Sequence, residues 1–272
     1  MTKLGFIGAG NMAGAIVRGV LAKEFLAARN IYMHDVNPRQ CAKMRDRYSI
    51  QIAQNNVDLV LACDVIVLAV KPIFLRKVLS EIKVHARNKK IISIATGWTT
   101  DMLQEALGES NGVQILRVMP NTPAMVGEGF TVLFHENSFD REAFAWAEQL
   151  FQTLGRTEVL SERLLDAVIA VSGSSPAYVY LFIEAMTDGA VKLGIPRSVA
   201  YRAASQSVLG AAKMILETGE HPSKLKDDVC SPGGTTIEAV HALEQGGLRA
   251  AVINAMDACA QKSLRMTEEA KK

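Results

Sequence analysis

Four short segments have residue types and spacing that could do chemistry. Gly8-Ala9-Gly10-Asn11-Met12-Ala13, followed by Gly14, gives G-x-G-x-x-A spacing directly after the apolar run Leu4–Ile7. Gly8 permits a tight turn. Gly10 removes a side chain so that backbone can approach a pyrophosphate. Ala13 and Gly14 let the next helix pack close to a sheet. Free N–H groups at the helix start, with its dipole, would then hold the anion. The other three are polar turns: Met119-Pro120-Asn121-Thr122-Pro123, Ser172-Gly173-Ser174-Ser175-Pro176 and Cys230-Ser231-Pro232-Gly233-Gly234-Thr235-Thr236. Small residues there expose backbone N–H groups, and such a nest can hold a carboxylate without an arginine. Thr235 and Thr236 add hydroxyl groups. Ser, Thr, Gly and Pro also cap ordinary helices. One such turn alone reads as capping; three beside a dinucleotide-type loop point to a ligand.

The end of the second strand should discriminate between dinucleotides. Asp35 would accept hydrogen bonds from a free ribose 2′-hydroxyl and favour NAD. Asn37 and Arg39 would instead grip a 2′-phosphate and favour NADP. Asp35 also has the position of a helix cap before Asn37-Pro38. Ligands of open α/β sheets sit at the carboxyl ends of strands. That places Ala69, Val70, Lys71, Pro72, Ala95, Thr96, Gly97 and Asn56 at the cofactor edge, with Lys71 contributing through its backbone. A strong general base is harder to find. His34 falls at the adenosine end, and His85, His135, His221 and His241 lie in surface-like or helical stretches. Lys192 reads as a solvated cation near a helix end.

The elements that must position these residues differ between two halves. Up to residue 160, apolar runs at 4–7, 31–34, 65–70, 91–95, 113–118, 131–134 and 157–160 alternate with amphipathic stretches at 12–26, 74–84 and 142–154. Continuously apolar strands are those covered on both faces. The alternation predicts an α/β, doubly wound and largely parallel sheet. From 161 to 272 helical patterns take over at 164–171, 177–193, 198–217, 235–244 and 248–266, with Gly173 as one of the breakers. The expected architecture is a Rossmann-type dinucleotide-binding domain over 1–160 and an all-helical substrate-binding and dimerisation domain over 161–272. Phe182, Met186, Ala190 and Leu193 form one apolar stripe, and Leu248, Val252, Met256, Cys259 and Ser263 another. A helical domain this small has limited interior of its own, so these stripes predict burial against a second subunit.

Composition excludes several classes. Thirty basic against 28 acidic residues give a net charge of +2, which is no nucleic-acid footprint. The four cysteines are scattered and form no CxxC pair, as expected of buried thiols in a reducing compartment. The start of the chain has no signal-peptide core, and the run 59–70, broken by Asp64, is too short to span a bilayer. A cytoplasmic protein without membrane or nucleic-acid partners is expected.

Taken together, Gly5-Phe6-Ile7-Gly8-Ala9-Gly10-Asn11-Met12, Ala69-Val70-Lys71-Pro72, Met119-Pro120-Asn121-Thr122-Pro123, 172–178 and 225–236 resemble pyrroline-5-carboxylate reductases over nearly the whole length. The resemblance implies hydride transfer from a reduced nicotinamide, NADPH or alternatively NADH, to the ring C=N carbon of 1-pyrroline-5-carboxylate, giving L-proline. It implies that the nicotinamide lies near Asn121 and Thr122. It places the substrate carboxylate on Ser231, Gly233, Gly234 and Thr235, with Ser175 and Asn121 also at the substrate, and the ring nitrogen on Thr236 as the catalytic residue. It further implies interlocked homodimers, each site built from both chains, that often assemble into decamers. Two other readings compete: a β-hydroxy-acid dehydrogenase, which would need a lysine base after 172–178, and a non-catalytic NADP-binding sensor, which would not need the carboxylate nest.

Overall fold

A computed structural model of the chain describes residues 2–108 and 112–271. Among them, eight strands form one sheet in the order β3-β2-β1-β4-β5-β6-β7-β8. These are β1 (Leu4–Ile7), β2 (Ile31–His34), β3 (Gln51–Ile52), β4 (Val65–Leu68), β5 (Lys90–Ser93), β6 (Gln114–Met119), β7 (Gly129–Phe134) and β8 (Gly155–Leu160). All neighbours are parallel except β6 and β7. The order reverses between β1 and β4, the switch point where doubly wound sheets bind ligands. The two-residue β3 was not expected, because it is too short to show a period.

The central strands read as unbroken apolar runs because both faces are covered. Leu4 and Phe6 of β1, Val65 and Val67 of β4, and Leu116 and Val118 of β6 face one core with α1 (Asn11–Ala22) and α6 (Arg141–Gln152). Ile7, Ile66, Leu68 and Ile115 face the other, with α3 (Asn56–Ala62), α4 (Pro72–Ile82) and α5 (Thr100–Leu107). Gly5 lets α3 close on β1: a Cβ there would stand 2.6 Å from a Leu59 methyl and 2.9 Å from the Cys63 sulfur. Between β2 and β3 runs α2 (Pro38–Tyr48), capped by the Asn37 side chain, which accepts from Arg39 N at 3.1 Å.

One compact unit runs to Ser174 and also includes the chain from Cys259 onward; the other is Ser175–Ala258. The reason is packing. Leu165, Val168 and Ile169 bury themselves with Val132 and Phe134 of the sheet, and Cys259 packs on the same cluster. Residues 161–174 therefore pack with the sheet although they are helical. Gly173 is likewise no helix break. It ends a π-helical stretch, Ile169–Gly173, in which Ser174 N donates to Ile169 O at 2.8 Å, between α7 (Leu165–Val168) and α8 (Ser175–Lys192).

The second unit holds α8, α9 (Arg197–Thr218), α10 (Pro222–Val229), α11 (Thr235–Gln245) and the first part of α12 (Leu248–Ala270). Among its described residues only Thr187, Ala200 and Ala204 are buried. Phe182 and Met186 stand 40% and 36% exposed, and Leu193 stands 84% exposed. These helices thus have almost no interior within one chain. The α12 stripe is divided: Leu248 and Val252 are exposed, whereas Ser263 is buried in the first unit. By length and composition alone, Glu162–Lys192 could cross a membrane, a test that an apolar helix hidden in an oligomer also passes.

Candidate active site

The glycine loop is built for a phosphate-bearing ligand. Gly8 has φ +104°, and a Cβ there would lie 2.6 Å from the Ala69 carbonyl oxygen, so no other residue fits. Its N–H donates to His34 O at 2.8 Å. Space beside Gly10 is open to 4 Å. Gly10 also begins α1 with no side-chain cap and no acid in the first turn. The first N–H groups of α1, among them those of Asn11 and Met12, therefore face outward without an intrahelical acceptor. These features fit a dinucleotide pyrophosphate. Ala13 is fully buried, as expected, whereas Gly14 faces Met44 of α2 rather than the sheet.

Asp35 is neither the helix cap nor a free carboxylate. Its Oδ2 accepts from Ala9 N at 2.7 Å and its Oδ1 from Asn37 N at 2.8 Å. The carboxylate is turned into the loop that it braces. Asn37 takes the cap position, and Arg39 is exposed beside it.

The other predicted residues of this unit follow the carboxyl ends of β4, β5 and β6, except Asn56, which opens α3 after β3. Ala69 N continues the ladder to Ile7 O at 2.8 Å, and Val70 follows it. Lys71 is the N-cap of α4, its side chain exposed and Pro72 at the first helical position, so its backbone is the part that is placed. Ala95, Thr96 and Gly97 form the turn after β5, with Gly97 at φ +80°. Asn56 is 6% exposed. Its Nδ2 donates to Glu81 at 2.9 Å while its Oδ1 is buried without a partner among the described residues. Asn121 follows β6, and its side chain is engaged: Oδ1 accepts from Phe130 N at 2.9 Å and Nδ2 donates to Ser172 O at 3.1 Å. Its amide holds the chain first; one amide hydrogen remains for a ligand.

In the second unit, Ser231-Pro232-Gly233-Gly234 closes a turn through Gly234 N donating to Ser231 O at 3.0 Å. Pro at the second position and Gly233 at φ +67° give the type II pattern. Gly234 begins α11 with no side-chain cap, so the N–H groups of Thr235 and Thr236 have no intrahelical acceptor. The first-turn hydroxyls of Thr235 and Thr236 stand beside them. A carboxylate fits that arrangement. Ser175 is the first residue of α8 in this unit.

A pyrroline-5-carboxylate reductase of Escherichia coli K12 is 46% identical over 267 residues, covering 98% of each chain. The chain belongs to the pyrroline-5-carboxylate reductase family. Its residues 162–266 match the description "Pyrroline-5-carboxylate reductase dimerisation", and residues 3–97 match "NADP oxidoreductase coenzyme F420-dependent". A solved reductase of this family from Coxiella burnetii superposes with TM-score 0.89 at 34% identity, covering 98% of both chains. The Plasmodium falciparum enzyme, solved with NADP bound, gives TM-score 0.89 at 32% identity and the same coverage. The family thus joins an NADP-oxidoreductase module to a dimerisation module.

Sequence reasoning missed a group of residues in this reductase. Arg117 on β6 is 2% exposed, and its Nη1 pairs with Glu162 Oε1. The same oxygen accepts from Thr100 N at 2.9 Å and Thr100 Oγ1 at 3.1 Å. Burial pulls the Arg117 guanidinium below its ordinary value, and the Glu162 charge works the other way. The signal was present: a lone arginine within the apolar strand Gln114–Met119. Arg18 was missed too. It reaches from α1 to donate to Met125 O at 2.6 Å and ties the 3-10 turn Thr122–Val126 to the glycine-loop helix.

Proposed function

We propose that this chain reduces 1-pyrroline-5-carboxylate to L-proline with NADPH, as a cytoplasmic homodimer. Gly8, Gly10, Asn11 and Met12 would hold the pyrophosphate, and Asn37 and Arg39 the 2′-phosphate. Ala69–Pro72, Ala95–Gly97 and Asn56 would line the remainder of the dinucleotide site. When bound, the reduced nicotinamide supplies the hydride that the imine carbon accepts. NADH is the alternative reductant.

The observation that carries the substrate assignment is the uncapped start of α11 behind left-handed Gly233. The N–H groups of Gly233, Gly234 and Thr235 would hold the substrate carboxylate, with Ser231 beside them and Ser175 as a further substrate residue of the same unit; in the other unit, Asn121 would serve the ligand at the end of β6. The Thr236 hydroxyl would bond the ring nitrogen and stabilise its proton. A cyclic imine protonates readily, so positioning and charge complementarity replace a strong side-chain acid. The exposed apolar faces of α8, α9 and α12 support a second copy as their cover, with assembly into decamers as a further step.

The test is the fall in NADPH absorbance on adding 1-pyrroline-5-carboxylate to the purified chain, repeated with NADH. Rapid oxidation is expected with NADPH. Bound NADPH with no oxidation would sink the substrate assignment. Mass in solution, measured by light scattering, should be twice that of the chain or a larger even multiple; a monomer would overturn the dimer.

A further inference from the structure

Arg117 is an ion buried where an apolar side chain would serve a merely structural purpose. Removing two charges from water costs several kcal/mol per ion, and apolar replacements of buried pairs are often neutral or stabilising. The question is therefore what the pair positions. Glu162 receives three donors on one oxygen: Arg117 Nη1, Thr100 N and Thr100 Oγ1. Glu136 fixes Glu162 in turn, accepting from its N–H at 2.7 Å and from Ser161 Oγ at 2.6 Å. Arg117 lies over the Phe134 ring at 5.7 Å, and its Nη2 points to Ala95 O at 3.5 Å. Ala95 N meets Ser93 Oγ at 3.3 Å.

The segment from Ala95 to Thr100 is thus held at both ends. Ser93 and Arg117 stand under Ala95, and Glu162 holds Thr100, where α5 begins. The turn in between carries Thr96 and Gly97, at the carboxyl end of β5.

We propose that the Arg117–Glu162 pair is a positioning device that sets the Ala95–Gly97 turn for the nicotinamide dinucleotide, and so governs cofactor binding rather than substrate binding. This rests on the reading of that edge as the cofactor site. It is a positioning role, because both side chains are engaged by protein partners, Arg117 by Glu162 and Ala95 O, and Glu162 by Arg117 and Thr100.

The experiment uses the full-length protein with Arg117→Met, Glu162→Gln and the double variant Arg117→Met/Glu162→Leu. NADPH dissociation is read by nucleotide fluorescence, which needs no turnover. KM is read separately for NADPH and for 1-pyrroline-5-carboxylate, and thermal midpoints are recorded. In all three variants NADPH Kd and KM should rise about tenfold while KM for the imine moves less than twofold. The double variant should keep the wild-type thermal midpoint, and Arg117→Lys should recover part of the affinity. Unchanged NADPH affinity overturns the proposal. So does a parallel rise in both KM values that follows a fall in thermal midpoint, the mark of a purely structural pair. If Arg117→Met fails to fold, Glu162→Gln decides alone. Should the wild type bind NADPH without reducing the imine, the substrate reading fails while the binding arm still judges the pair.

Discussion

The Asp35 carboxylate closes on the glycine loop, accepting from Ala9 N at 2.7 Å, while its other oxygen accepts from Asn37 N at 2.8 Å. One side chain thereby fixes the end of β2 to the turn after β1. An acid at this position would repel a 2′-phosphate if it faced the ribose, and its engagement with two backbone donors turns it away. Hydrogen bonds to charged groups contribute about 1.5–3 kcal/mol. Asp35→Ala should therefore weaken NADPH and NADH alike, by roughly tenfold. Titration with each nucleotide checks this; a loss confined to NADH would mean that the carboxylate reads the ribose hydroxyl instead.

Gly233 holds φ +67° in the turn before α11. An L side chain in that region costs about 1–2 kcal/mol. Gly233→Ala should raise KM for the imine about five- to thirtyfold. NADPH affinity should stay put, because the glycine loop lies in the other unit. Equal effects on both ligands would argue against a carboxylate nest.

Thr236 is the second residue of α11, in its uncapped first turn. Losing one preorganised hydrogen-bond partner of a reacting group typically costs a hundredfold or more in turnover. Thr236→Ala should lower kcat by roughly that factor with NADPH affinity intact. Steady-state kinetics decide it, and unchanged turnover removes Thr236 from the chemistry.

Asn121 links Phe130 N to Ser172 O through its side chain and is nearly buried. Asn121→Ala leaves both backbone groups unsatisfied, at about 1–3 kcal/mol each. The thermal midpoint should fall by roughly 5–12 °C. A scan showing no shift would mean that water replaces the amide at no cost.

Burial pushes the Cys63 thiol up to about 12 from an ordinary 9.0, with Lys89 opposing the shift. The unfolded thiol ionises first, so this group favours the folded state below pH 9. That contribution is lost as pH climbs from there towards 12. Cys63→Ala should flatten the decline in stability over that window, as read by denaturant midpoints; an unaltered slope would count against it. The native protein should also leave Cys63 unlabelled by thiol reagents at pH 7.

The local parts of the fold were written in the sequence. Gly8 specifies its turn by steric need alone, and the central strands β1, β4 and β5 announce themselves as apolar runs because both faces are covered. The Pro232-Gly233 turn and the open start of α11 follow from the same short-range rules. Such features depend on residues a few positions apart, so reading along the chain finds them.

Tertiary structure decided the rest, because the deciding contacts join residues far apart in the chain. Asp35 read equally as ribose acceptor or helix cap, and only the approach of Ala9 shows it bracing the loop. Asn121 was expected at the ligand, and the return of β7 and the Ser172 carbonyl engage it structurally. The compact unit around the sheet takes in residues 161–174 because Leu165, Val168 and Ile169 find their core on β7. Arg117 and Glu162 carry no shared motif, since an ion pair between a strand and a distant helix start has no period. Types and spacing determined the chemistry available; packing determined which polar groups remain free to perform it.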